Sequence, residues 1–148
     1  SFMAITSAIC NSFKQEILEA EHNFTASSGN TFNLALYTSS ATINKSTTAY
    51  SSTNEISNTS GSAYSAKGQA LTSVTPVLDS DTAVCDFANI SWTSATFTAN
   101  GCLIFNDSHS SDAAVCTIAF GGDKTVTSGT FTIEFPAAAA STAIIAIA

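Results

Sequence analysis

Apolar residues recur at every second position over most of this chain, in short runs cut by turn-forming residues. In TFNLALYT, Phe32, Leu34 and Leu36 fall on one side and Asn33, Ala35 and Tyr37 on the other. TAVCDFANISWT alternates again, Val84, Asp86, Ala88 and Ile90 opposing Cys85, Phe87 and Asn89. SATFTANGCLIFND places Phe97, Ala99 and Gly101 together before a continuous apolar patch from Cys102 to Phe105. AAVCTIAFGG and GTFTIEFP read as two strands joined by the turn-rich GGDKTVTSG, with Phe131, Ile133 and Phe135 sharing a face. QALTSVTPVLD reads as a strand placed at an edge by Pro76, and TAIIAIA as a closing strand. About seven or eight short strands of this kind predict a mainly β protein, an antiparallel β-sandwich or jelly roll. Alternation further predicts sheets with one buried and one wet face.

The period changes once. In CNSFKQEILEAEHNF, Phe13, Ile17 and Leu18 lie at helical spacing, with Lys14, Glu16, Glu19 and Glu21 largely around the other sides. Ser12 followed by Gln15 fits a capping box, so the helix is predicted from about Ser12 to Glu21. Phe13, Ile17 and Leu18 are the residues predicted to dock it onto a sheet or a neighbouring subunit. A polar segment over residues 38–68 then reads as a long loop or extended excursion, of a length that in a compact domain packs on something. The 148 residues suit a single domain spanning 1–148.

Charge excludes whole classes of function. Only 10% of residues are charged against 45% apolar, and Ser, Thr, Asn and Ala take the vacant places. The basic residues are Lys14, Lys45, Lys67 and Lys124, with no arginine and a formal charge of −7. Scattered lysines on an acidic chain cannot neutralise a phosphate backbone, which excludes nucleic acid as a partner. The final AAAASTAIIAIA is apolar but too short to span a bilayer, so no membrane association is expected. Ser1-Phe2 reads as a cloning remnant with Met3 as the natural start, and the segment after Met3 lacks the pattern of a secretory signal.

Candidates for chemistry are few. Cys10, Cys85, Cys102 and Cys116 form no C-x-x-C pair and read as small buried hydrophobes. His22 and His109 lie far apart in sequence, which gives no zinc spacing. His22 reads as a helix C-terminal histidine favoured by the macrodipole rather than half of an acid–base or metal pair. Glu19, Glu21 and His22 are each expected to tolerate substitution. His109, among Asn106, Asp107 and Asp112, reads as a solvated turn residue rather than part of a loop cation site. Asp79 and Asp81 read as a turn rather than the paired carboxylates of a glycosidase. No nucleophile elbow, zinc-protease helix or phosphate-cradling loop occurs. The expectation is a protein that is not an enzyme and uses no cofactor or metal. Exposed aromatics stacking on a host glycan are the second class of function, with Tyr37, Tyr50, Tyr64 and Trp92 as candidate contacts and core packing as the alternative for Trp92.

The order of the phrases NSFKQEIL, TFNLALYTSSATI, TTAYSSTNEIS, AYSAKGQALT, ATFTANGCLIFND, FGGDKTVTSGTFTIEFP and AIIAIA resembles a family of small tailed-bacteriophage virion proteins. The family pattern carries GxH where this chain has Ala20-Glu21-His22. It tends to have two glycines where this chain reads Ala66-Lys67-Gly68, and an arginine at the place of Asn100. The resemblance implies a structural role on the virus particle: a capsid decoration or cement protein, with a tail or tail-fibre component as the alternative. It implies a homo-oligomer, a trimer being favoured, that contacts major capsid or tail proteins. Such a protein is made in the host cytoplasm and reaches the virion by assembly. The family brings no catalytic residues.

Overall fold

A computed structural model describes residues 4–148; the reading of Ser1-Phe2 and Met3 falls outside the described residues. The elements in chain order are β1 (Ala8–Ile9), α1 (Asn11–Leu18), β2 (Phe32–Tyr37), β3 (Gln69–Ala70), β4 (Ser73–Asp79), β5 (Thr82–Phe87), β6 (Ile90–Asn106), β7 (Ala114–Ile133) and β8 (Ile145–Ile147). They form a five-stranded sheet in the order β1-β7-β6-β2-β3 and a three-stranded sheet in the order β4-β5-β8, with antiparallel pairing throughout. The protein is a mainly β, antiparallel sandwich-type fold with one short helix, as the alternation predicts.

Strand β2 departs from the expected wet face, because all six of its residues are buried. On one side Phe24 lies flat on Phe32 with ring centroids 4.2 Å apart, and Phe87 of the small sheet sits 6.1 Å from Phe32. On the other side the 38–68 segment covers the sheet. Tyr50 stacks on Phe105 at 4.8 Å, Tyr37 donates its hydroxyl to Ser51 O at 2.7 Å, and Ala41, Ile43, Ile56 and Tyr64 are buried. Isolated bridges Ile5–Ile43, Tyr37–Glu55 and Ala49–Ala113 tie the excursion down. A loop this polar packs closely because its few apolar residues are spaced to reach the sheet.

Two strand boundaries move. TAVCDFANISWT is divided after Phe87, where Ala88 N–H turns to Thr72 O and Asn89 Oδ1 accepts the Phe135 N–H at 2.9 Å. The chain thereby passes from the small sheet to the main one. Conversely, GGDKTVTSG does not separate two strands: β7 runs through it, and its turn-forming residues are absorbed as irregularities of register against β6. Gly121 and Gly122 take φ values of +78° and +146°, and Asn100 Nδ2 donates to Asp123 Oδ1 at 3.0 Å opposite them. QALTSVTPVLD likewise yields β3 and β4 in different sheets. Pro76 sits at the irregularity of β4, which is an edge strand as expected.

The helix begins at Asn11, one residue before the predicted start, with Cys10 as N-cap and no side-chain cap. Cys10 N–H is engaged by Val115 O and Asn11 N–H by Lys45 O, which anchors the helix start ahead of Ser12. The capping box is therefore not formed, and the buried Ser12 Oγ has no partner. The helix also ends early. Glu21 N–H bonds to Glu16 O and Ala20 N–H to Ile17 O, the paired bonds of a Schellman motif, with Ala20 left-handed at φ +60°. Of the predicted docking stripe, Phe13 is in the core, Ile17 is half-buried, and Leu18 is 88% exposed.

Candidate functional site

The Schellman turn sends Glu21 and His22 back across the end of the main sheet, where the β6–β7 loop meets them. Asn106, the last residue of β6, is fully buried and organises the junction. Its Oδ1 accepts the Ser108 N–H at 3.0 Å, which fixes the amide and turns Nδ2 towards His22 Nδ1 (3.1 Å) and Asn30 Oδ1 (3.2 Å). With Nδ1 accepting, His22 carries its proton on Nε2 and donates it to Glu16 Oε1 at 3.0 Å. His109 repeats the pattern from the loop: Ser111 N–H points at Nδ1 (3.2 Å), and Nε2 donates to Glu21 Oε2 at 2.8 Å. The two imidazoles stack with centroids 6.1 Å apart.

These positions correct two expectations. His22 is only 6% exposed, packed 4.9 Å from Phe13, and lies beyond the helix rather than in its last turn. It is a core histidine, not one at the helix C-terminus favoured by the macrodipole. His109 is partly buried and paired rather than solvated at a free turn. Spacing in sequence could not reveal the cluster, since its members come from α1, the turn after it and the β6–β7 loop.

A second polar cluster holds the long loop. Glu55 accepts hydrogen bonds from the hydroxyls of Tyr50 and Tyr64 and, at 2.8 Å, from Lys67 N–H. Tyr64 Oη in turn accepts the Leu36 N–H at 3.0 Å. Lys67 Nζ pairs with Asp112 at 3.0 Å and Asp107 at 3.3 Å and lies over the Tyr50 ring. Burial, followed by the Glu55 carboxylate as acceptor, raises the hydroxyl pKa values of Tyr50 and Tyr64, and burial raises that of Tyr37. These tyrosines stay protonated donors.

The candidate glycan contacts are accounted for by packing. Tyr64 and Trp92 are 1% and 3% exposed and stack on each other at 6.0 Å, so neither offers a ring face to a sugar. Tyr50 is half-buried against Phe105, and Tyr37 is buried. Asp79 accepts the Ala140 N–H at 2.7 Å beside the β4–β5 turn, while Asp81 is exposed in that turn. The cysteines are free thiols: Cys10, Cys102 and Cys116 are buried and Cys85 is half-buried. Burial pushes Cys10 and Cys85 up to about 11 and Cys116 to about 12, so none is an activated nucleophile.

The small sheet carries an exposed apolar row. Leu78, Ala83 and Ile147 are register neighbours across β4, β5 and β8, and Leu78 and Ile147 are 74% and 56% exposed. No described helix is long and apolar enough to cross a membrane. No protein-family model, curated protein or solved structure matches this chain.

Proposed function

We propose that this chain is a non-enzymatic structural protein of a tailed-bacteriophage virion, a decoration or cement protein of the head, acting as a homo-oligomer with a trimer favoured. The observation that carries the reading is where the chain departs from the glycines of the resembled pattern. Ala20, at the place of the glycine in GxH, is left-handed at φ +60°; Lys67, beside Gly68 in the second glycine phrase, is left-handed at φ +72°. A pattern that asks for glycine where the backbone has positive φ is physically consistent with this fold. The resemblance thus agrees with the conformation at these two places.

The exposed row Leu78–Ala83–Ile147 supports an assembly role, because apolar side chains neighbouring one another across a sheet favour burial against another subunit. A tail or tail-fibre component uses the same surface and is the alternative placement. Leu78→Asp tests the assembly reading: it should abolish self-association in sedimentation velocity and attachment to purified capsids. A wild-type chain that neither self-associates nor attaches to capsid or tail assemblies would overturn it.

A further inference from the structure

We propose that Glu16, Glu21 and His109 bind a divalent transition-metal ion, Zn²⁺ above all, which staples α1 and the turn after it to the β6–β7 loop. One carboxylate oxygen of each glutamate and a ring nitrogen of His109 lie within 4.8 Å of one another. Donors held around zinc at about 2.0–2.2 Å lie roughly 3–3.5 Å apart, so small side-chain rotations close the set. His109 Nε2 and Glu21 Oε2 are already 2.8 Å apart.

Electrostatics favour a cation here. The described ion pairs of Glu16 and Glu21 are with histidines alone, while Lys67 is engaged by Asp107 and Asp112. Glu16 and Glu21 thus converge on one point with no described lysine paired to either carboxylate. Two carboxylates and an imidazole suit a borderline ion; Ca²⁺ and Mg²⁺, which take oxygen ligands, gain little from the imidazole. His22 stays outside the ion. Locked by Asn106, it keeps donating to Glu16 and orients that carboxylate, as an outer hydrogen-bond partner does in metal sites.

Ligation by His109 requires its Nε2 lone pair, so the ring proton must move to Nδ1. Ser111 Oγ lies 2.9 Å from Nδ1 and accepts it there, while the Ser111 N–H, 3.2 Å from Nδ1, gives up its bond to the ring. The imidazole remains neutral and no net proton is released. Ser111 is therefore a positioning residue: its hydroxyl stabilises the tautomer that binds metal. Three protein ligands leave a fourth position for water.

The test is calorimetric titration of the EDTA-treated full chain with ZnCl₂ in a Cys85→Ser background, which removes the half-buried thiol as a competing donor. One ion per chain is expected to bind and to raise the thermal midpoint, with CaCl₂ giving no comparable rise. Glu21→Gln, at an exposed position, and His109→Gln should each weaken Zn²⁺ by more than about tenfold, and Ser111→Ala by about 10–100-fold. Glu19→Gln, at the same helix end, should leave binding unchanged. Co²⁺ should give visible d–d absorption that His109→Gln removes. Absence of binding up to millimolar Zn²⁺, or equal binding by Glu21→Gln and His109→Gln, overturns the proposal.

Discussion

His22 and His109 stack with ring centroids 6.1 Å apart and planes 19° from parallel, the first buried beyond the helix and the second on the β6–β7 loop. The contact is made by the Schellman turn, which depends on Ala20 holding a left-handed conformation. An alanine there carries a steric cost of about 1–2 kcal/mol that glycine does not. Ala20→Gly should therefore stabilise the protein, by about 0.5–1 kcal/mol after the added freedom of the unfolded chain is subtracted. Urea unfolding measures this directly; a loss of stability would mean that the turn is set by something other than backbone conformation.

The predicted helix stripe divides by energy. Phe13 packs on His22 and Phe24, so Phe13→Ala should cost about 3–5 kcal/mol. Leu18 lies on the surface, and Leu18→Lys should change the stability of the isolated chain by less than about 0.5 kcal/mol. Chemical denaturation of the two variants compares them on one scale.

Glu55 fastens the long loop. Glu55→Gln replaces one acceptor oxygen by an amide NH₂, which then faces a tyrosine hydroxyl or the Lys67 N–H. The expected loss is about 2–3 kcal/mol, from charge-assisted hydrogen bonds. Hydrogen exchange should locate it, with amides around residues 50–68 losing protection before those of β2 and β6. Uniform loss of protection across the sheet would show that the network supports the whole fold instead.

Alkaline pH should unfold the protein. Burial first, joined by Glu16 for Cys10 and by Glu55 for Tyr50 and Tyr64, holds these thiols and phenols above their ordinary values of 9.0 and 10.0. Above pH 9 the unfolded chain releases protons that the folded chain retains, so unfolding becomes more favourable as pH rises. With respect to these groups stability is flat below pH 9 and falls steadily from about 9 to 12. Urea midpoints at stepped pH values, under reducing conditions, should decline over that window. A flat profile would contradict the burial of these groups.

Much of the β architecture was legible because alternation and burial share a cause: Phe32, Leu34 and Leu36 face the layer that the small sheet closes. The opposite face of β2 was not legible as buried, since Asn33 and Tyr37 are polar enough to suggest water. Only the fold brings Tyr50 and Ile43 over them. GGDKTVTSG carries turn residues that serve equally in bulges, and local sequence does not distinguish a bend within a strand from its end. The His22–His109 cluster escaped for a different reason. Spacing rules find ligands supplied by one local segment, and this cluster joins two segments through Asn106.

The most direct test of the proposed structural role is mass spectrometry of gradient-purified tailed-phage particles from an infection in which this chain is expressed, coupled to cryo-electron microscopy of the same particles. The proposed function predicts the chain in many copies, as density on the outer lattice of the head. Its presence in the infected-cell lysate but absence from the purified particle would contradict that function.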